Sequence, residues 1–413
     1  MTFDNTFKIA LTSYAKINLG LSVPFRYPNG YHHIVSIFAP IDLADEITFF
    51  VTPPLANKMA NSGVAAGDDF KLTWENLLPS MFQNEAVNRA FTEEYKNNLM
   101  YKAWVWFMKF INERGVFLPP TMYHVHIRKK IPSPAGLGGG SSNAACIIVA
   151  LFNYLRQYLE STGVFNQNQW AALQADLQKH CIEPGADIPF FVDLLLNKPQ
   201  ASLISGTGEV YGNLPGLKIS GILGIPPFGF STPGMYQAME KPVLEISEEG
   251  AQAQEYVQGR SKKSLHCDNY IICNLYSIHA NYLSLYEMLC KDSPARRLDK
   301  EGDPGQIIDI EENKAYFLKN EFIGISEKLY PDKFLVIENM RKAAAGRISP
   351  CTQGGSFKGK RISSMSGSGA SVFAGICGAD GSNRQLRQRL EESVAALKKE
   401  FPQAHWLVFS TMT

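Results

Sequence analysis

Charge of either sign is scarce in this chain, and what there is nearly cancels. Charged residues make up 19% of the sequence, and 40 basic side chains offset 39 acidic ones, for a formal net charge of +1 at pH 7. Such a balance excludes the broad basic footprint of a nucleic-acid-binding protein and the polybasic patch of a membrane anchor, leaving room only for a local basic pocket. Paired cysteine motifs are missing as well. The seven cysteines (Cys146, Cys181, Cys267, Cys273, Cys290, Cys351, Cys377) are scattered and odd in number. With no C-x-x-C or His-rich spacing, they argue against a zinc site or a disulfide framework and for a reduced, cytoplasmic protein. No long hydrophobic run is present. The most apolar stretch, Asn269 to Leu289, is interrupted by Asn274, Ser277, His279, Asn281 and Glu287 and is too polar to span a bilayer. The opening MTFDNTFKIALTSYAKINLGL lacks a basic segment followed by an apolar one and does not read as a secretory leader.

What is present is enough apolar material for a substantial core: 45% of 413 residues. That length predicts two domains, taken as 1–215 and 216–413, the second carrying an accessory insert at about 245–315. β-rich runs at 8–23 and 34–50 flank the loop FRYPNGYHH, whose Pro28-Asn29-Gly30 reads as a turn. Residues 53–96 read as a decorated loop around a strand from Phe70 to Trp74. Asn98 to Phe110 places Leu99, Ala103, Phe107 and Phe110 on one helical stripe. A strand at Met122–Ile127, a glycine-rich loop and a helix at Asn143–Leu155 follow, then a helix at Gln169–His180. Strands are expected from Ile219, across SSMSGSGASVFAGI, and at Trp406–Met412, with a helix at Asn383–Phe401. Within the insert, Ile271, Leu275, Ile278, Tyr282, Leu285 and Leu289 recur at amphipathic-helix spacing. Residues 346–362 read as a basic Gly/Ser connector.

The loop Gly136-Leu137-Gly138-Gly139-Gly140-Ser141-Ser142 lies between the strand and the helix. Small residues let backbone approach a ligand closely, and the free N–H groups and dipole of a helix start favour an anion. The serines suit helix capping, phosphate oxygens or Mg²⁺. A Walker A loop would need a lysine before the serine, and a dinucleotide fingerprint beginning at Gly136 would need glycine where Ser141 stands. A flexible glycine turn is the remaining structural alternative.

Beyond the loop, PSPAGLGGGSSNAA resembles the phosphate-binding segment of the GHMP kinases. Three further features occur in family order: SYAKINLGLSV with GYHHIVSIF, then GADIPFFV, then MSGSGASVF. The set resembles one family in that superfamily, the diphosphocytidyl-methylerythritol kinases, over residues 10–50, 97–240 and 320–413. The resemblance implies an α/β (α+β) two-domain GHMP kinase fold, with a mixed-sheet N-terminal domain and a ferredoxin-like C-terminal domain. It implies ATP and Mg²⁺ as cofactors and a CDP-linked sugar alcohol as the small-molecule substrate. The reaction would phosphorylate the 2-hydroxyl of a CDP-linked methylerythritol in the non-mevalonate isoprenoid pathway, in a monomer or weak homodimer with no nucleic-acid or membrane partner.

Site roles follow from the same resemblance. Asp187 would take the hydroxyl proton, with Lys16 its partner and charge stabiliser. ATP and its phosphates would contact Pro134, Gly136, Leu137, Gly138, Gly139, Gly140, Ser141, Ser142, Asn98 and Lys129. No dedicated metal site is implied; Mg²⁺ would arrive with ATP, with Ser142 a further ligand. Asn18, two residues from Lys16 and so on the same strand face, reads as a substrate contact. Tyr31 and Tyr236 would wall the cytosine, His32 would bond its edge, and Thr232, Gly367, Ser368 and Gly369 would complete the substrate side. Ser366-Gly367-Ser368-Gly369 reads as a second small-residue loop, with a plain strand turn as the alternative. Ordinary readings stand beside these: a solvated strand lysine, a helix-capping aspartate, a core tyrosine. One departure is Asn320-Glu321-Phe322-Ile323, where the family shows Asn-Asp-Leu-Glu and only the Asn is kept. Two alternatives stay open: a GHMP kinase for another small alcohol, and a non-catalytic nucleotide-binding protein on the same fold.

Overall fold

Alternation of polar and apolar residues along β1 (Phe7–Ser22) gives way at Ala15 to burial on both faces through Leu21. Lys16 and Asn18 are thereby carried into the interior of a strand rather than onto a solvated face. The computed structural model describes residues 7–52, 69–83, 85–119, 121–163, 165–197, 200–243, 270–290, 308–309, 316–318, 320–348, 360–378 and 384–412. The chain forms two compact units that interleave in sequence. One comprises Met1–Ala15, Leu43–Ser133 and Gly138–Lys198; the other Lys16–Asp42, Pro134–Leu137 and Pro199–Thr413. Both β1 and β2 (Ile34–Thr52) contribute residues to each unit.

In the first unit, β3 (Phe70–Asn76) pairs parallel with β4 (Met122–Lys129), which pairs antiparallel with Glu46–Thr52 of β2. Among the described residues the α-helices that accompany them are α1 (Glu85–Phe91), α2 (Leu99–Asn112), α3 (Gly139–Thr162), α4 (Gln167–His180) and α5 (Ile188–Leu196). The α2 stripe expected from spacing is present, with Ala103, Phe107 and Phe110 buried, joined by Met100, Trp104 and Ile111. Burying each large side chain contributes about 1.5–3 kcal/mol, and α2 spends this face against α3.

In the second unit, Ile34–Phe38 of β2 pairs antiparallel with β5 (Ala201–Gly206), which pairs with β6 (Glu209–Leu214). A six-stranded sheet runs in the order β12 (His405–Ser410), β7 (Ile219–Ile225), β11 (Val372–Cys377), β10 (Lys360–Met365), β9 (Tyr316–Leu318), β8 (Ile308–Asp309). Its first four strands are antiparallel, and β9 joins β10 in parallel. The helices are α6 (Thr232–Gln237), α7 (Tyr270–Cys290), α8 (Phe322–Leu329), α9 (Pro331–Arg347) and α10 (Arg384–Glu400). α9 packs on β11 and α10 on β12, giving the βα layer expected for the C-terminal part. Helices with sheets of parallel and antiparallel strands make the α/β class plain.

Two expectations change. SSMSGSGASVFAGI is not one strand: Met365 pairs with Val372, and Ser366–Ser371 forms a tight loop closed by the Ser366 N–H donating to Ser371 O at 2.8 Å. Serine and glycine continue the small-residue alternation through the turn, so period alone hides it. The helix within the 245–315 insert is not peripheral. Ile278, Tyr282, Leu285 and Leu289 are buried, and the Tyr286 hydroxyl donates to Pro215 O at 2.6 Å. The side chains of Ile271 and Leu275, and most of 346–362, lie outside the described residues. Strands β5 and β6 had no counterpart in the sequence reading.

Candidate active site

Lys16 in the second unit is 3% exposed. Its Nζ donates to Asn18 Oδ1 at 2.6 Å and lies 4.4 Å from the Phe38 ring centroid, within cation–π range. The amide of Asn18 is oriented in turn: Nδ2 donates to Ser36 Oγ at 3.0 Å, and Ser36 Oγ donates to Gly20 O at 2.6 Å. Both ends of the fully buried Asn18 amide are therefore used inside the protein, and the residue holds Lys16. The backbone N–H of Lys16 donates to Leu137 O at 3.0 Å, tying the strand to the glycine-rich segment.

That segment meets the Ser366–Gly369 loop backbone to backbone. Gly136 has φ +74°, and a Cβ there would stand 2.2 Å from Ser366 O; one on Gly369 would stand 2.2 Å from Gly136 N. Only glycine fits both positions. Ser366 Oγ donates to Gly136 O at 3.1 Å. A Cβ on Gly367 would lie 3.3 Å from Lys16 Nζ and 3.4 Å from Asn18 Oδ1, so this glycine forms the wall beside the lysine. Pro134 abuts Gly229, whose Cβ would meet Pro134 O at 2.1 Å. Asn320, buried, braces the loop by donating to Met365 O at 3.1 Å and Gly367 O at 2.9 Å, while its Oδ1 accepts the Phe322 N–H. Retaining the Asn of the family motif is thus explained by loop support.

On the substrate side, Thr232 Oγ1 and Ser368 Oγ lie 2.8 Å apart. Tyr236 stands edge-on to Phe322, centroids 4.8 Å apart, and its ring centroid is 5.1 Å from that of His32. The turn at Pro28–Gly30 is present, with the Gly30 N–H donating to Tyr27 O at 3.0 Å. Tyr31 at its tip is 60% exposed, an aromatic face open to a ligand. His32 Nε2 is enclosed without a hydrogen-bond partner among the described residues. Burial, then the charges of Arg26 and Lys241, hold its pKa below the ordinary histidine value, so the neutral ring is favoured. An enclosed imidazole nitrogen with no partner is costly unless a ligand edge satisfies it.

In the first unit, α3 begins at an N-cap Gly138 with φ 70° and no side-chain cap. The first N–H groups of the helix, on Gly139, Gly140 and Ser141, have no intrahelical acceptor, and the space over Gly140 is open. This start suits an anionic phosphate. Ser142 is 1% exposed, with its Oγ 2.8 Å from Ser13 Oγ, which lies 2.6 Å from Asn143 Oδ1. Since the amide oxygen can only accept, Ser13 donates to Asn143 and Ser142 to Ser13, leaving lone pairs on Ser142 Oγ. Lys129 is 4% exposed and donates to Asp45 Oδ2 at 2.6 Å and Ile131 O at 2.5 Å. Burial lowers its pKa and Asp45 opposes the shift. Asp45 also accepts the N–H groups of Lys130 and Ile131, so the pair anchors the chain before the glycine-rich segment. Asn98 caps α2, accepting from Met100 N at 3.0 Å and donating to Ala90 O at 3.2 Å. Asp187 occupies the N-cap position of α5 but makes no side-chain cap there. Among the described residues, no group of His, Cys, Asp and Glu has metal-ligand geometry.

Sequence reasoning missed Ser36, Asp45 and Phe322, whose importance arises from partners distant in the chain. Asn320 had a signal, the surviving Asn of a degenerate motif.

Residues 98–193 match the family model for the GHMP kinases N terminal domain. Over 231 residues the chain is 32% identical to the 4-diphosphocytidyl-2-C-methyl-D-erythritol kinase of Leptospira biflexa, covering 55% of this chain and 64% of that protein. The enzyme of the same name from Leptospira interrogans is 30% identical over 237 residues, 57% of this chain and 66% of that protein. The aligned part thus spans just under two thirds of each relative. A crystal structure of 4-(cytidine 5'-diphospho)-2C-methyl-D-erythritol kinase superposes with a TM-score of 0.48 at 21% identity, covering 98% of this chain and 100% of that one. The family-model match runs from the α2 cap at Asn98, through the glycine-rich helix start, into α5.

Proposed function

We propose that this chain is an ATP-dependent small-molecule kinase that phosphorylates the 2-hydroxyl of 4-diphosphocytidyl-2-C-methyl-D-erythritol, within the non-mevalonate isoprenoid pathway. The observation that carries the reading is Lys16: a buried lysine aimed by Asn18 and Ser36 at the glycine wall of a loop interlocked with Gly136. Phosphoryl transfer asks a protein mainly to position reactants and stabilise charge. Lys16 supplies a cation for charge developing on the transferring group, and Asp187 accepts the proton of the attacking hydroxyl. The open N–H groups of Gly139, Gly140 and Ser141 suit the ATP phosphates, with Gly138 supplying the turn and Pro134, Gly136 and Leu137 the approach. Ser142 Oγ, which retains lone pairs, would hold Mg²⁺ arriving with ATP, and the ion would supply neutralisation of phosphate oxygens. Asn98 and Lys129 serve this side through the helix cap and the anchored strand end.

The nucleobase reading rests on the unpartnered His32 Nε2 beside Tyr236, with Tyr31 exposed, Thr232 and Ser368 adjacent, and Gly367 and Gly369 shaping the wall. In this account the family's N-terminal domain ends near residue 215 and its C-terminal domain follows. The protein acts as a cytoplasmic monomer or weak homodimer; Cys146, Cys181 and Cys377 are buried free thiols.

The test is an ADP-release assay across CDP-linked methylerythritol, homoserine, mevalonate and phosphomevalonate. A site built to bond a base should favour the CDP-linked alcohol by roughly 10²-fold or more in kcat/KM. Preference for an alcohol without a base would replace the substrate, and tight ATP binding with no turnover of any alcohol would favour the non-catalytic nucleotide-binding alternative.

A further inference from the structure

A buried polar relay runs beneath the hairpin that carries Tyr31 and His32, and it begins on the inserted helix. His279 of α7 has Nε2 2.8 Å from Ser205 Oγ; Ser205 Oγ is 3.2 Å from His33 Nε2; His33 Nδ1 is 2.8 Å from the Tyr27 hydroxyl. All four residues are less than a tenth exposed: His279 5%, Ser205 7%, His33 2% and Tyr27 8%. The direction of the bonds can be deduced. The Gly206 backbone N–H donates to His33 Nε2 at 3.3 Å, so that nitrogen is an acceptor and the His33 proton sits on Nδ1, donating to Tyr27. Ser205 can then give its proton to His33 only while accepting from His279 Nε2–H. Each donor is matched to an acceptor from α7 to the hairpin.

Tyr27 is the base of the turn. Its N–H donates to Tyr31 O at 2.7 Å, its carbonyl accepts the Gly30 N–H at 3.0 Å, and the His33 N–H donates to Phe25 O at 2.9 Å. The relay therefore fixes both ends of the segment on which His32 and Tyr31 stand.

We propose that His279 is a positioning residue for this hairpin, acting through Ser205, His33 and Tyr27 to set the geometry of the nucleobase subsite. The substrate part of the inference rests on the nucleobase reading above. The inserted helix would then tune the affinity of the kinase for its nucleotide-linked alcohol while leaving ATP untouched.

The experiment compares wild type with His279→Ala, His279→Gln and Tyr27→Phe, by steady-state kinetics in both substrates and by hydrogen exchange over residues 25–33. Leaving Ser205 without its donor should raise KM for the CDP-linked alcohol about tenfold in His279→Ala. KM for ATP should stay within about twofold. Glutamine, which keeps a donor, should recover most of the loss, and Tyr27→Phe should give a smaller rise of the same kind. Amides of the hairpin should exchange about tenfold faster in His279→Ala while those of α2 and α3 do not. Equal rises in both KM values, or unchanged hairpin exchange in a folded His279→Ala, would overturn the proposal. If His279→Ala does not fold, Tyr27→Phe and His279→Gln decide it by the same readouts. If wild type does not turn over the CDP-linked alcohol, the functional reading falls and hairpin exchange alone decides the relay.

Discussion

Lys16 shows how one position acquires a role through its neighbours. In sequence it is a lysine in a strand; in the structure Asn18 Oδ1 accepts its hydrogen bond and Phe38 and Gly367 wall it. The spacing of two made the shared face of Lys16 and Asn18 legible, but the use of the Asn18 amide was not, because Ser36 lies on another strand. Glycines separate in the same way. Gly30 has φ +88° with nothing within 4 Å of a Cβ, whereas Gly136 combines φ +74° with backbone at 2.2 Å. Gly30→Ala should cost about 1–2 kcal/mol from backbone strain alone. Gly136→Ala should cost more and abolish activity, because the Ser366 loop must move; urea unfolding and turnover of both variants check this. At Tyr236, removal of the ring should raise KM for the CDP-linked alcohol by the equivalent of about 1–3 kcal/mol, with KM for ATP nearly unchanged. Equal rises in both would place the ring in general packing.

Elements with strong periodicity were read well from the sequence. α2 starts one residue after Asn98, α4 and α10 lie within a few residues of expectation, and β3 extends the expected Phe70–Trp74 by two residues. What escaped depended on partners rather than on period. β5 is buried at every residue and pairs with β2, so it shows no alternation. The β10–β11 turn falls where Ser366-Gly367-Ser368-Gly369 reads as a small-residue loop, although its serines and glycines suit a strand as well. For α7, the 4-3-4 spacing gave the helix, and its burial at Ile278, Tyr282, Leu285 and Leu289 made it integral to the second unit. Leu285→Ala should therefore cost about 2–5 kcal/mol. Leu283→Ala, at a position 43% exposed, should stay within about 0.5 kcal/mol. Equal, small effects in denaturant unfolding would return the helix to accessory status.

At the scale of the molecule, one buried histidine makes a pH dependence that can be worked out. Burial, with His279 adding, pushes His33 from 6.5 to about 3. Between those values the unfolded chain binds a proton that the native ring refuses, so stability is fully present above pH 6.5 and falls as pH drops towards 3. The slope from this residue is at most about 1.4 kcal/mol per pH unit. Urea unfolding between pH 7 and 4 should fall less steeply in His33→Gln than in wild type; identical slopes would remove His33 as the cause.

The central claim, that this chain transfers phosphate from ATP to an alcohol with Asp187 accepting the proton, is tested most directly by Asp187→Asn. Asparagine keeps the shape but cannot take the hydroxyl proton. Steady-state kinetics on the CDP-linked methylerythritol should show kcat lowered by roughly 10²–10⁴-fold. Both KM values and the melting temperature should remain near those of wild type, since asparagine is nearly isosteric with aspartate and keeps one acceptor oxygen. Wild-type turnover in the folded variant would contradict the account.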